Sequence, residues 1–76
     1  MPIGYTRRFV AEVERADSSK IGVRLATLCL LRDIPVKDVA EFLGVSRVTV
    51  YAWFRGKTNV PERLREKVEA LLDKLK

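Results

Sequence analysis

An all-α fold of about five short helices is predicted by three observations. Apolar residues recur at spacings of three and four within separate stretches, as in Leu64, Val68, Leu71, Leu72 and Leu75, the repeat of a helix with one buried side. Cap-forming and helix-breaking residues fall between those stretches, at Thr6, Asp17-Ser18-Ser19, Pro35, Gly56 and Pro61. The run from Val36 to Arg55 divides at Gly44 into two short helices joined by a tight turn. A chain of 76 residues is long enough for one compact domain and too short for two, so residues 1–76 are read as a single unit.

The first helix is expected over 6–16, capped by Thr6, with Phe9, Val10 and Val13 on one side and Arg7, Arg8, Glu12, Glu14 and Arg15 elsewhere. Asp17-Ser18-Ser19 breaks the chain. A second helix follows over 20–31, with Ile21, Leu25, Leu28, Cys29 and Leu31 on a broad apolar face. Pro35 ends the approach to the next helix and suits its first turn, since the residue before proline avoids the helical region. Within 36–55, Val39, Leu43, Val45, Val50 and Trp53 fall where two crossed helices must face a common core, and Ala40 is small at their closest approach. Gly44 provides the positive φ of the bend, and Ser46 caps the helix after it. The last helix is placed over 60–75, with Asn59 and Glu62 spaced as a capping box and Pro61 able to move the cap to Val60.

Charge narrows the class of partner. Fifteen Lys and Arg against ten Asp and Glu give a net charge of +5, and the pI near 9.8 suits a polyanion. The excess is uneven: segment 46–61 holds Arg47, Arg55 and Lys57 with no acidic residue, whereas 62–76 has five basic residues against four acidic ones. No apolar stretch approaches the roughly 20 residues of a membrane span, and the N-terminus lacks a basic-then-apolar signal sequence. A cytosolic protein is expected. Cys29 is the sole cysteine and lies in an apolar run, the setting of a buried inert thiol; with no His there is no plausible zinc site. The chain has no His base, no glycine-rich phosphate loop and no Ser or Cys with an activating neighbour. Neither an enzyme activity, a cofactor, a metal nor a small-molecule substrate is expected.

The residues of 36–55 resemble the helix-turn-helix of the phage Cro/repressor family of transcription regulators, also called the Xre family. The likeness extends upstream to Ile21-Gly22-Val23-Arg24-Leu25 and downstream through Trp53-Phe54-Arg55-Gly56-Lys57 to Pro61, roughly two thirds of the chain. It implies a lambda-repressor-like fold, a bacterial or phage-infected host cytosol, double-stranded DNA as partner, and a second copy of the chain to read two half-sites. Where the family usually has a Ser or Thr cap followed by Gln, this chain has Pro35 and Val36, and Lys37 is the substitute for the phosphate contact of that glutamine. The scaffold also occurs in proteins that contact only other proteins.

Turning each residue of the second helix about 100° from the last separates Val50, Trp53 and Phe54 from Val48, Tyr51, Ala52 and Arg55. Arg47 sits in the first turn and is long enough to reach the outer surface. Its position matches a base-contacting position of the family, and a guanidinium can give two parallel hydrogen bonds to guanine O6 and N7. Val48 and Ala52 suit thymine methyl groups, Tyr51 a base or phosphate, and Arg55 a base or phosphate near the helix end. Lys57, Thr58 and Asn59 form a polar loop suited to phosphates, and Ser46, though mainly a cap, is counted with them. Phe54 is placed either at the core's edge or against a partner subunit. Leu71, Leu72 and Leu75 are the expected dimer surface, with Phe9 and Val13 as the other choice, and either set can equally pack inside its own domain. Two readings result: a sequence-specific DNA-binding repressor, or a protein-binding module of antitoxin type or one that engages host machinery.

Overall fold

The computed structural model describes residues 5–75 and contains five helices with no strand among them. Helix α1 spans Arg7–Arg15, and the Thr6 side chain accepts a hydrogen bond from Phe9 N at 3.1 Å. Asp17 then accepts from both Ser19 N (2.9 Å) and Ser19 Oγ (2.6 Å), closing an Asx turn whose side-chain hydrogen bond first, and backbone bond second, lower the Asp17 pKa. Helix α2 spans Ile21–Arg32 and stops where Asp33 turns left-handed at φ 55°, a conformation Asp tolerates better than most residues. Ile34 N donates back to Cys29 O at 2.9 Å.

Helix α3, Val36–Leu43, ends at Gly44 with φ 70°; Gly44 N donates to Ala40 O and Glu41 O, and Val45 N to Ala40 O at 3.1 Å. A Cβ on Gly44 would meet nothing within 4 Å, so glycine is required there by its φ and not by crowding. Helix α4, Arg47–Phe54, starts from Ser46, whose Oγ accepts from Thr49 N at 3.2 Å. After Arg55 the chain reverses at Gly56, φ 73°, and the Lys20 ammonium donates to Gly56 O at 2.8 Å, tying this turn to the start of α2. Helix α5 spans Glu62–Leu75. It begins two residues later than the sequence suggests, because its first turn is bonded from the Pro61 carbonyl to Leu64 N (2.9 Å) and not from Asn59 or Val60.

Helix α2 is the central element, packed against α1, α4 and α5, while α3 packs against α4 and α5. One core results, formed by Val23, Leu25, Ala26 and Cys29 of α2, Val36, Val39, Ala40 and Leu43 of α3, Val50, Trp53 and Phe54 of α4, and Leu64, Val68 and Leu72 of α5. Among the described residues no polar or charged side chain is buried. Cys29 lies inside it, and burial pushes its thiol pKa up to about 12, which leaves it protonated and unreactive.

Burial corrects one sequence expectation and decides two that the sequence left open. Leu31, placed on the apolar face of the second helix, is 73% exposed, because the side that packs is the arc of Gly22, Val23, Leu25, Ala26 and Cys29 and Leu31 falls outside it. Phe54 is fully buried, so it does not reach a partner subunit. Leu72 is 5% exposed and belongs to the chain's own core, with Leu71 and Leu75 half-buried against it; Phe9 and Val13, the other choice for a dimer surface, are 4% exposed and also spent internally.

The crossing of α2 and α4 is fixed at Gly22. A Cβ built there would lie 2.7 Å from Trp53 O and 2.9 Å from Trp53 Cβ, closer than backbone and core atoms can yield without moving a helix. Gly22→Ala is therefore expected to cost roughly 1–3 kcal/mol by overpacking, in spite of alanine's better helix propensity. Chemical denaturation followed by circular dichroism measures this, and a variant as stable as the parent would show that the two helices separate at little cost.

Candidate nucleic-acid interface

Eight residues of α4 make a helix about 12 Å long, the scale of a DNA major groove. Its attachment decides which of them are free. Val50, Trp53 and Phe54 are buried and hold one side to α2 and α3, whereas Val48 is 78% exposed and Arg47 is exposed in the first turn. Arg47 makes no ion pair among the described residues, so its guanidinium is available. Ala52 is half-buried, one turn after Val48. The Ser46 hydroxyl is occupied by its cap and by Thr49 Oγ1 at 2.9 Å.

The far end of the same helix is held differently. Phe9 of α1 meets Tyr51 edge-to-face (5.1 Å between centroids, 82° between planes) and Phe54 at 6.2 Å, and it carries Tyr5 stacked on its other side at 5.3 Å. The Arg55 guanidinium lies 5.6 Å from the Phe9 centroid and 5.8 Å from that of Tyr51. Arg55 Nε is 3.4 Å from Glu12 Oε2, an ion pair without hydrogen-bond geometry, and the buried Nε–H has no acceptor among the described residues. Tyr5 completes the attachment by donating its hydroxyl to Ile34 O at 2.8 Å; burial raises its pKa well above the usual phenol value, keeping that donor protonated.

Of the residues that the sequence places on the reading surface, Arg47 and Val48 are thus open and Ala52 partly so, while Tyr51 and Arg55 are engaged by α1. Both are half-buried, so packing against α1 limits the freedom expected of them. The helical wheel puts them on the outward side of α4, and α1, outside the helix-turn-helix, covers that side near its C-terminal end. Lys57, Thr58 and Asn59 are exposed in the loop anchored by Lys20, and Lys37 is exposed on the first turn of α3. Val36, which stands where a glutamine was expected by resemblance, is 7% exposed and serves the core. Sequence reasoning missed Tyr5 and the role of Phe9 as the ring that α4 leans on; the aromatic spacing Tyr5 to Phe9, one helical turn, was the available signal.

A family of homeodomain-like domains matches residues 18–72, more than two thirds of the chain, covering α2 to α4 and all but the last three residues of α5. The chain belongs to the homeodomain-like family. The site is accordingly the helix-turn-helix of a DNA-binding domain, with α4 in the place of the recognition helix. The match carries the helix-turn-helix itself; the closer likeness to phage Cro/repressor proteins rests on the resemblance of the residues alone. Helix α1 precedes the matched region. No curated protein and no solved structure matches the chain. No described helix is long and apolar enough to cross a membrane, and no described cluster of His, Cys, Asp and Glu could hold a metal ion.

Because the Arg55 side chain spans two rings and a carboxylate, its removal is expected to loosen α1 from α4. Arg55→Ala should lower stability by about 0.5–1 kcal/mol, the range for a partly exposed cation on aromatic faces. A double-mutant cycle with Phe9→Leu measures the shared part. Additive losses would show that the guanidinium and the Phe9 ring do not interact.

Proposed function

We propose that the protein is a sequence-specific regulator that binds double-stranded DNA, inserts α4 in the major groove and represses transcription by occupying an operator or promoter, in the manner of Cro-like repressors. Arg47 carries this reading: it is an exposed guanidinium without an acidic partner among the described residues, in the first turn of a helix whose opposite side is buried. Binding and not catalysis is the proposed activity. Arg47 reads a guanine edge, Val48 and Ala52 meet thymine methyl groups, and Lys37, Lys57, Thr58 and Asn59 neutralise or hydrogen-bond phosphates on either side. Ser46 contributes its cap. Tyr51 and Arg55 support the helix from the α1 side in place of the base contacts expected of them.

A gel-shift titration against duplexes selected from a random pool, repeated over a range of salt, tests the proposal. Arg47→Ala is expected to lose roughly 1–3 kcal/mol of binding to the selected duplex and to relax preference at one base pair per half-site. Lys57→Ala should weaken selected and random duplexes alike and reduce the salt-slope magnitude by about one unit. Equal weakening of every sequence by Arg47→Ala would make that residue a phosphate contact and remove the proposed readout.

The second reading, a protein-binding module, draws on the exposure of Val48 (78%) and Phe42 (49%), two apolar side chains at the helix-turn-helix. A protein that binds only other proteins would show little affinity for any duplex in the same titration.

Two-fold pairing is part of the proposal, since one recognition helix spans only a few base pairs and half-sites lie about one turn apart. With Leu72, Phe9 and Val13 buried, the half-buried Leu71 and Leu75 edge of α5 is what remains of the expected surface. Leu75→Glu is expected to shift the sedimentation coefficient from dimer to monomer while helicity is kept. A parent that sediments as a monomer at binding concentrations would exclude this pairing.

A further inference from the structure

Helix α1 has a charge pattern that its packing role does not require. Phe9, Val13 and the half-buried Val10 fix its inner side. Arg8, Glu12 and Arg15 stand four and three residues apart and so share one flank, while Arg7 and Glu14, seven apart, share another. The structure shows where the first flank lies, because Glu12 is the residue that pairs with Arg55, the C-cap of α4. Arg8 and Arg15 therefore stand on either side of the point where α1 meets the outward end of the recognition helix. Both are exposed, and neither has an ion-pair partner among the described residues.

On this geometry we propose that α1 is a second DNA-contacting element, a ledge on which Arg8 and Arg15 grip phosphates of the strand that forms the groove wall beside α4. The proposal rests on the DNA-binding reading above and extends it to a helix outside the homeodomain-like match. The row from Arg8 to Arg15 is about 10 Å long, room for two separate phosphate contacts. With Arg55 it counts three cations against the single carboxylate of Glu12. Glu12 holds Arg55 by charge alone, without hydrogen-bond geometry, at a place where the Arg55 side chain is 35% exposed. A phosphate arriving at the ledge competes with that carboxylate for the guanidinium. Glu12 thus positions Arg55 in the free protein and opposes DNA in the complex.

The 76-residue chain carrying Arg8→Gln and Arg15→Gln together tests the ledge, with Arg8→Lys/Arg15→Lys as the charge-conserving control. Both positions are exposed, so the helix should keep its fold, which a melting curve checks. Against a selected duplex, the Gln pair is expected to reduce the salt-slope magnitude by about two units and to weaken binding roughly tenfold at moderate salt. The selected sequence should not change. The Lys pair should retain the parent slope, and phosphate-ethylation interference should lose two backbone positions with the Gln pair. Glu12→Gln should act in the opposite direction and tighten binding severalfold. A parent that binds duplexes, with an unchanged slope in the Gln pair, overturns the ledge and leaves recognition by α4 intact; weaker binding by Glu12→Gln also overturns it. A parent that binds no duplex at any salt overturns the DNA-binding reading and the ledge with it.

Discussion

Gly22 is where the backbone of α2 comes against the carbonyl and Cβ of Trp53, and the direction of α4 follows from that contact. Helices normally keep their axes 8–10 Å apart according to the side chains between them. With no side chain on α2 at the crossing, α4 can settle close enough for Val50, Trp53 and Phe54 to be buried together. The same crossing commits three of its eight residues to the interior and turns Arg47 and Val48 outward. Gly44 and Gly56, both at positive φ, bound the helix and keep it short. The reading surface is therefore a by-product of how tightly the opposite side is packed.

Helix α1 works by other means. It lies next to α2, but it reaches α4 through long side chains: the Phe9 ring on Tyr51 and Phe54, and the Glu12 carboxylate near Arg55. Such an attachment is weaker per contact than a close helix crossing, since each ring pair contributes about 0.5–1.5 kcal/mol beyond its buried area. It nonetheless changes the site, because it takes Tyr51 and Arg55 out of the free surface and places other arginines beside them. It also uses the apolar residues of α1, as the core uses Leu72 of α5, so those side chains are not left for a second subunit. The large apolar side chains that stay exposed are Leu31, Phe42 and Val48, on α2, α3 and α4.

The helices and their ends were legible in the sequence because each is decided within a few residues. Thr6 and Ser46 cap through their own hydroxyls, and Gly44 turns through its own φ. The buried side of α4 was legible for the same reason: a 3.6-residue period is a local property, and Val50 and Trp53 obey it. Its free side was legible only at Arg47 and Val48. For Tyr51 and Arg55 the answer lay in Phe9 and Glu12, some forty residues away, and no periodicity within α4 carries that information. Leu31 failed likewise, since a helix wheel assumes that the whole apolar face finds a neighbour.

The sequence by itself determined the helix-turn-helix, its glycine turn, its cap, the acid-free segment 46–61 and the absence of any His for metal or base chemistry. These depend on residue identity and on spacing within a turn or two of helix. Tertiary structure alone decided that Phe54 and Leu72 face the chain's own core, that Val36 is buried, and that α1 leans on the end of α4. Hydrophobic burial is non-directional, so an apolar stripe states that a side must be covered and leaves open which element covers it. Here the covering element for the recognition helix came from outside the motif.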